Sequence, residues 1–348
     1  MIYGATGYTG ELIARAAKAR HLAPLLAGRN AETIATLANE LNLPHRVFGL
    51  DSPESVARQL QDVALVLNCA GPFSATAAPM VSACLQAKTH YLDITGEIAV
   101  FEAIHRQDAL AKDRGVLLMP GVGFDVVPTD CLALTLKKHL PDADHLILAF
   151  SSSGLPSRGT AKTMIEGLKI GGKIRRDGKI ISVPLAYRVR EIPFVTGPQL
   201  AMTIPWGDVS TAYYTTGIPN IEVYLGVREA QVKQMKVMRW LRPLLALNPV
   251  QNFMKARVDQ RVKGPTEDQR QKAKTVLWGQ VSNPEGQSIE MHMITPNGYE
   301  LTVASALGIV ENLLAGKITP GAHTPAGLFG ENFAATLPGV SLLPASAR

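Results

Sequence analysis

Cysteine is scarce in this chain of 348 residues: there are three, Cys69, Cys84 and Cys131. They are too few and too scattered for a disulfide framework or a zinc knuckle, so a reducing, cytoplasmic setting is expected. Charged residues make up only 18 % while apolar residues reach 46 %, which excludes a disordered chain and allows a large packed core. No basic and then apolar leader precedes the first motif, since Met1-Ile2-Tyr3 runs straight into Gly4, and no secretory signal is expected. The charge-free stretches between Glu191 and Asp208 and between Asp208 and Glu222 are cut by Pro193, Pro198, Pro205 and Pro219. Neither reads as a membrane span. Internal repeats and low-complexity tracts are also lacking.

What is present fits about two domains. Over the first 125 residues short apolar runs alternate with helix-like stretches, the pattern of βαβ units on a parallel sheet. Strands are predicted at 1–3, 23–27, 46–49, 64–69, 91–94 and 116–119, and helices at 11–20, 31–41, 53–61, 75–87 and 99–113. Only three residues precede Gly4, where strands ordinarily run five or six, so the natural chain is expected to carry a few residues before Met1. Beyond Pro128 the pattern changes. Helices are predicted at 129–139, 160–170, 302–314 and 326–337, and a strand at 146–151. Longer β-like runs follow at 180–190, 209–215, 221–228, 274–281 and 288–295. The last two flank Asn283-Pro284-Glu285-Gly286, a strong hairpin signal. The expected architecture is α/β: a doubly wound parallel sheet over 1–128, a second α+β domain with a mixed or antiparallel sheet over 129–325, and a C-terminal helix and tail at 326–348 returning to the first domain.

Gly4-Ala5-Thr6-Gly7-Tyr8-Thr9-Gly10 follows the first strand and opens a helix. This G-x-x-G-x-x-G spacing is a variant of the dinucleotide fingerprint. Gly4 permits a tight turn, Gly7 lets backbone amides approach a pyrophosphate, and Gly10 lets the helix pack closely on the sheet. The second strand ends in Ala27-Gly28-Arg29-Asn30, without the carboxylate that would bind a ribose 2′-hydroxyl. An arginine there suits a 2′-phosphate, so NADP is favoured over NAD. An exposed arginine that merely ends the strand is the plainer alternative. Asp51 and Ser52 follow the third strand, near an adenine, with Ser52 also a plausible helix N-cap before Pro53. Asn68-Cys69-Ala70-Gly71-Pro72-Phe73 ends the fourth strand and would flank the nicotinamide half. Cys69 reads better as a small buried hydrophobe than as a redox group.

Two polar segments, His90–Glu97 and Gly121–Asp130, end the next strands and should converge on the same edge. The cofactor set is therefore Gly4, Thr6, Gly7, Tyr8, Thr9, Gly10, Arg29, Asn30, Asp51, Ser52, Cys69, Ala70, Gly71, Pro72, Phe73, Thr95 and Gly96. Tyr91, Asp93, Asp125 and Asp130 are the candidates for proton transfer or substrate anchoring. Each of these acids could equally cap a helix or bound a turn.

Together, Gly4–Gly10, Gly28-Arg29, Asn68–Phe73, His90–Glu97 and Gly121–Asp130 make the chain resemble the saccharopine dehydrogenase-like oxidoreductases, in the branch that also holds trans-acting enoyl reductases. The resemblance covers the first 130 residues well and the rest loosely, through Thr160–Met164 and Thr324–Gly330. It implies an NADP-binding Rossmann domain, a mixed α/β domain, and a small-molecule substrate between them, such as a lipid-like enoyl compound or an imine. It carries over no saccharopine-binding arginines, and lysine biosynthesis is not implied.

Other readings are weighed against this one. Short-chain dehydrogenases need Tyr-x-x-x-Lys, and none of the eight tyrosines has a lysine four residues on. An acyl-phosphate reductase would need a thiolate at a helix start; Cys131 is near such a place, but Asp130 beside it opposes ionisation. A non-catalytic NADP-binding regulator stays open because no proton donor is evident. From Arg228 to Lys274 twelve Lys/Arg stand against four Asp/Glu, an excess larger than the +6 of the whole chain. Val232, Met235, Met238, Leu241, Leu244 and Leu245 form a helical stripe there, so residues 228–274 are a candidate for peripheral membrane contact, with a core or dimer contact as the alternative. No motif supports nucleic acid binding. A homodimer through the second domain is expected.

Overall fold

The computed structural model describes residues 1–347. In chain order its elements are β1 (Ile2–Tyr3), α1 (Tyr8–Ala19), β2 (Leu26–Gly28), α2 (Ala31–Leu41), β3 (His45–Val47), α3 (Pro53–Gln59), β4 (Leu65–Asn68), α4 (Phe73–Ala87), β5 (His90–Asp93), α5 (Ile98–His105), α6 (Asp108–Arg114) and β6 (Leu117–Met119). Then come α7 (Val127–His139), β7 (His145–Ser152), α8 (Arg158–Ile170), β8 (Gly172–Arg176), β9 (Lys179–Val183), β10 (Val189–Phe194), β11 (Gly197–Thr203), α9 (Asp208–Thr216) and β12 (Asn220–Gly226). The chain continues through α10 (Glu229–Leu245), α11 (Asn248–Arg261), α12 (Glu267–Lys272), β13 (Lys274–Ser282), β14 (Ser288–Pro296), α13 (Gly298–Leu314), β15 (Gly321–Ala322) and α14 (Pro325–Phe329).

Two compact units result: Met1–Val127 with Leu301–Leu328, and Pro128–Glu300 with the chain from Phe329 onward. In the first, seven parallel strands run in the order β15-β6-β5-β4-β1-β2-β3. Chain order reverses between β1 and β4, and in such sheets ligands bind where the loops diverge at that reversal. Fully buried Tyr91, Leu118, Val66 and Met80 belong to the core that seats α3 to α6 on this sheet. In the second unit β12 and β7 pair in parallel, while β10–β11, β11–β12, β7–β13 and β13–β14 are antiparallel, which makes the sheet mixed. Trp278 is fully buried there among Ile192, Phe194 and Tyr224. Among the described residues no helix is long and apolar enough to cross a membrane.

Several predicted elements are corrected. The β-like run 209–215 is helix α9, because Gly207 and Gly217 bound it and Val209, Ala212 and Thr216 bury one helical face against the β-propensity of Thr and Tyr. The run 180–190 splits into β9 and β10 at Pro184, and β8 and β11 were not foreseen. The helix predicted over 99–113 breaks at Arg106–Gln107 into α5 and α6, which lets Asp108 Oδ1 accept from Ala322 N at 2.9 Å. The helix predicted over 326–337 stops at Phe329, where Gly330 takes a positive φ of 83°, and only a single 3-10 turn, Ala334–Thr336, follows. The chain therefore rejoins the first sheet before residue 326: β15 pairs with β6, and it is Leu301–Leu328, not the tail, that belongs to the first unit.

Gly10 shows how tightly α1 is seated. A Cβ there would run into Gly4 O and lie 3.1 Å from Ala5 Cα, both backbone atoms that cannot swing aside. Gly10→Ala is expected to destabilise the protein by about 1–3 kcal/mol, the usual range for overpacking; an unchanged urea midpoint would show that the turn yields freely.

Candidate functional site

The site is built at the carboxyl edge of the parallel sheet. Gly4 turns the chain out of β1 with φ +79°, and a Cβ on it would meet Ala70 N at 2.7 Å and Ala70 Cα at 2.9 Å. Only glycine fits, because the β1–α1 and β4–α4 loops touch at the point of reversal. Gly7 then occupies the N-cap of α1 in an extended conformation, and no side chain caps this helix. Its amide end faces a turn whose Thr6 and Gly7 are exposed. By contrast Asn30 Oδ1 accepts from Thr33 N at 3.0 Å and Ser52 Oγ from Ser55 N at 3.2 Å, so α2 and α3 are capped by their own side chains. Sequence reasoning placed Asn30 and Ser52 in the cofactor set; their side chains serve as caps.

Arg29 ends β2, is exposed, and has no ion pair or side-chain hydrogen bond among the described residues. Asp51, after β3, is likewise exposed and unpaired. Both act on Tyr3, whose phenol burial holds above its ordinary pKa while Arg29 pulls it down and Asp51 pushes it up. Tyr3 Oη donates to Phe48 O at 3.2 Å, which ties β1 to the chain that follows β3. Sequence reasoning passed over Tyr3.

The next row of residues is a buried polar network. Sheet register sets Tyr3 beside Asn68 and Asn68 beside Asp93. Asn68 Oδ1 accepts from Ala70 N at 3.0 Å and its Nδ2 donates to Thr76 Oγ1 at 3.3 Å and Tyr91 Oη at 3.4 Å. Tyr91 Oη donates to Asp93 Oδ2 at 2.7 Å, while Asp93 Oδ1 accepts from Thr95 N at 3.0 Å and Gly121 N at 2.9 Å. Burial raises the Asp93 carboxyl to about 6 against these hydrogen bonds, and burial holds Tyr91 well above its usual value. Both side chains are fully buried and their oxygens are engaged, so they brace three loops from beneath. Glu97 joins two of those loops: its Oε1 accepts from Phe73 N at 2.8 Å and its Oε2 from Ser74 N at 2.9 Å, which closes the amide end of α4. Asn68 could have been found from its place two residues before a loop amide, the Asx-turn pattern. Thr76 and the clasp of Glu97 on α4 leave no such local signal.

Asp125 differs from the other acids. It lies after β6, where Phe124 N donates to Thr302 Oγ1 at 3.0 Å and Ser305 Oγ to Val122 O at 2.7 Å, so α13 fixes the loop. Its carboxylate lies directly on Gly96, where a Cβ would collide with Oδ2, and it has no hydrogen-bond partner among the described residues. Burial pushes its pKa up to about 7. Thr95 is itself buried, and its Oγ1 accepts from Glu97 N at 3.0 Å. The structure thus brings together Gly4–Gly10, Ala70–Phe73, Thr95, Gly96 and Asp125. It does not bring Asp130 into this set: that residue belongs to the second unit, where its Oδ1 accepts from Thr215 Oγ1 at 2.5 Å.

The cysteines are inert thiols. Burial raises the pKa of Cys69, with Asp93 adding to it, and burial does the same for Cys131, with Asp130 adding. A groove of about 380 Å³ runs between α4 and α5–α6, lined by Ala77, Val81, Val100 and Leu110. Phe73 is the one cofactor candidate that lines it, so the groove is not the nucleotide crevice. Among the described residues no cluster of three or more His, Cys, Asp or Glu is placed to hold a metal ion.

Asp93→Ala would strand the donors on Tyr91, Thr95 and Gly121 in the interior. The expected cost is about 3–5 kcal/mol in chemical denaturation, against about 1 kcal/mol for an ordinary exposed hydrogen bond.

Comparison with known proteins agrees with this geometry. Residues 1–119 match the family model described as the saccharopine dehydrogenase NADP binding domain. A rat saccharopine dehydrogenase-like oxidoreductase is 26 % identical over 204 residues, covering 51 % of this chain and 47 % of that protein. A trans-acting enoyl reductase of Mycobacterium tuberculosis is 26 % identical over 208 residues, covering 53 % and 48 %. The chain thus matches about half the length of these curated relatives. Among solved structures, apo saccharopine dehydrogenase (L-Glu forming) of Saccharomyces cerevisiae superposes with a TM-score of 0.68 at 10 % identity, over 100 % of this chain and 99 % of that one. The homospermidine synthase of Legionella pneumophila, in complex with NAD, gives 0.62 at 10 % identity over 98 % and 90 %. At such identity these two structures speak for the fold alone. The similarity to the saccharopine dehydrogenase NADP binding domain thus covers the first 119 residues of this chain.

Proposed function

We propose that the protein is an NADP-dependent oxidoreductase that reduces an activated C=C or C=N bond held against the carboxyl edge of its parallel sheet. The observation that carries this reading is the pairing of an uncapped helix start at Gly7 with an unpaired, exposed arginine at the end of the neighbouring strand. The residues fit the group. Without side chains at Gly4 and Gly10 the turn packs closely on Ala70 and on the start of α1, and the uncapped amides of α1 offer a diphosphate hydrogen bonds and a favourable dipole. Arg29 offers a planar guanidinium to a 2′-phosphate. The fold alone accommodates NAD as well, as in the Legionella relative of low identity, so Arg29 is the residue on which the choice of NADP rests.

Bound there, the nicotinamide supplies the hydride. The chain does the rest by position and proton supply. The buried brace of Asn68, Tyr91 and Asp93 fixes the loops of β4, β5 and β6 relative to one another, which sets the height at which a substrate can approach. Asp125 holds a proton near neutral pH on a fixed loop and has no structural partner to give it to, which suits a general acid that completes the reduction. Enoyl reduction is named for the mycobacterial relative and is the substrate class tried first here.

Calorimetry with NADPH and NADH tests the cofactor. Arg29→Asp is expected to weaken NADPH binding by about 10–100-fold while leaving NADH binding nearly unchanged; equal losses for both would remove Arg29 from the site. For the acid, a short enoyl thioester and a cyclic imine serve as probes. Because the Asp125 proton is retained up to about pH 7, kcat/KM for reduction should be highest below that pH and fall as pH rises through it. Asp125→Asn is expected to lower kcat by about 10²–10⁴-fold and to erase that limb of the profile, with NADPH affinity retained.

A further inference from the structure

The second unit carries an exposed apolar face that neither the fold nor the proposed reaction uses. Helix α10 is apolar on two sides. Its inner side packs through Val232 and Met235 against Ala186, Met202 and Val227, and Arg239 donates to Leu185 O at 2.6 Å and Ala186 O at 3.1 Å. On its outer side Val237, Trp240, Leu241 and Leu244 follow one another at i, i+3, i+4 and i+7, a single helical stripe. They are 60 %, 85 %, 47 % and 54 % exposed. Leu247 and Phe253, at and beyond the start of α11, are exposed too. Solvent-exposed tryptophan in the centre of an aliphatic stripe is costly to keep in water.

The charges around this stripe decide what covers it. Lys236 lies one turn before Trp240 and has no carboxylate partner; Arg228, Arg261 and Lys263 are also unpaired among the described residues, and Arg257 lies over the Phe253 ring at 5.1 Å. The acids in the region are already committed, Glu229 to Lys233 and Asp259 to Lys162 and Arg158. A second copy of the chain meeting this face about a two-fold axis would set unpaired cations against unpaired cations. An anionic lipid surface would instead take both features at once, the stripe entering the acyl boundary and the cations meeting the headgroups.

We propose that the protein docks on anionic membranes through the Val237–Trp240–Leu241–Leu244 face of α10 and its flanking lysines and arginines. The test is vesicle flotation of the full chain at low and high salt, with phosphatidylcholine alone and with about one-third phosphatidylglycerol. Binding to the anionic vesicles that weakens with salt, together with a blue shift of tryptophan emission absent from Trp240→Phe, is the expected result. Trp240→Ser with Leu244→Ser should lower the bound fraction at least about tenfold, and Lys236→Glu should weaken binding at low salt and flatten its dependence on salt, while circular dichroism melting stays as in the parent. Absence from the anionic vesicles at low salt overturns the proposal, as does undiminished binding by the double serine variant. A concentration-dependent dimer broken by that variant, without vesicle binding, assigns the face to a contact between copies; binding to RNA but not to vesicles assigns it to nucleic acid. Either result overturns lipid docking.

Discussion

Everything at the proposed site depends on satisfying one row of polar groups buried where the parallel strands end. Asn68 and Asp93 sit at the same level of adjacent strands, and each turns its Oδ1 back onto an amide two residues ahead. Inside a protein such groups cannot be left without partners, so the loops that follow β4, β5 and β6 adopt the shapes that supply them. Tyr91 bridges the two turns, and Gly121 brings in the third loop. The surface offered to a ligand is therefore set from below, by hydrogen bonds that the ligand never meets.

Against that fixed platform, the residues left without partners mark where chemistry can occur. Asp93 and Asp125 are both acids whose burial favours the protonated form, yet one is surrounded by donors and the other has none. A carboxyl that anchors three loops cannot give up its place during a reaction, whereas one resting on Gly96 has nothing structural to lose. The same contrast separates Arg46, which is locked to Asp62, from Arg29, which is not.

Much of this was legible in the chain itself. The βαβ alternation, the glycine turn and the missing acid after β2 led directly to the parallel sheet, the seat of α1 and the prominence of Arg29. The family model for residues 1–119 spans the same stretch. What stayed hidden depends on packing between distant residues. Helix α9 looks like a strand because its Val, Thr and Tyr residues favour extended backbone until a buried face overrides them. Asp130 looked equivalent to Asp125 because both follow β6, but a hydrogen bond to Thr215, 85 residues on, gives it a structural post in the second unit. Tyr91 and Asp93, candidates for proton transfer or substrate anchoring from their place at the strand ends, lie in a buried hydrogen-bonded network, and sequence position does not reveal how many donors surround an oxygen.

The clasp of Glu97 on Phe73 and Ser74 has a consequence for handedness. Two helices begin at the reversal of the sheet, and each would ordinarily present a positive pole. With a resident carboxylate neutralising α4, only α1 remains attractive to a doubly charged linker. If the proposed cofactor binds here, an elongated molecule with unlike ends would be admitted one way round, its reactive ring towards Gly96 and its anchor towards the Arg29 guanidinium.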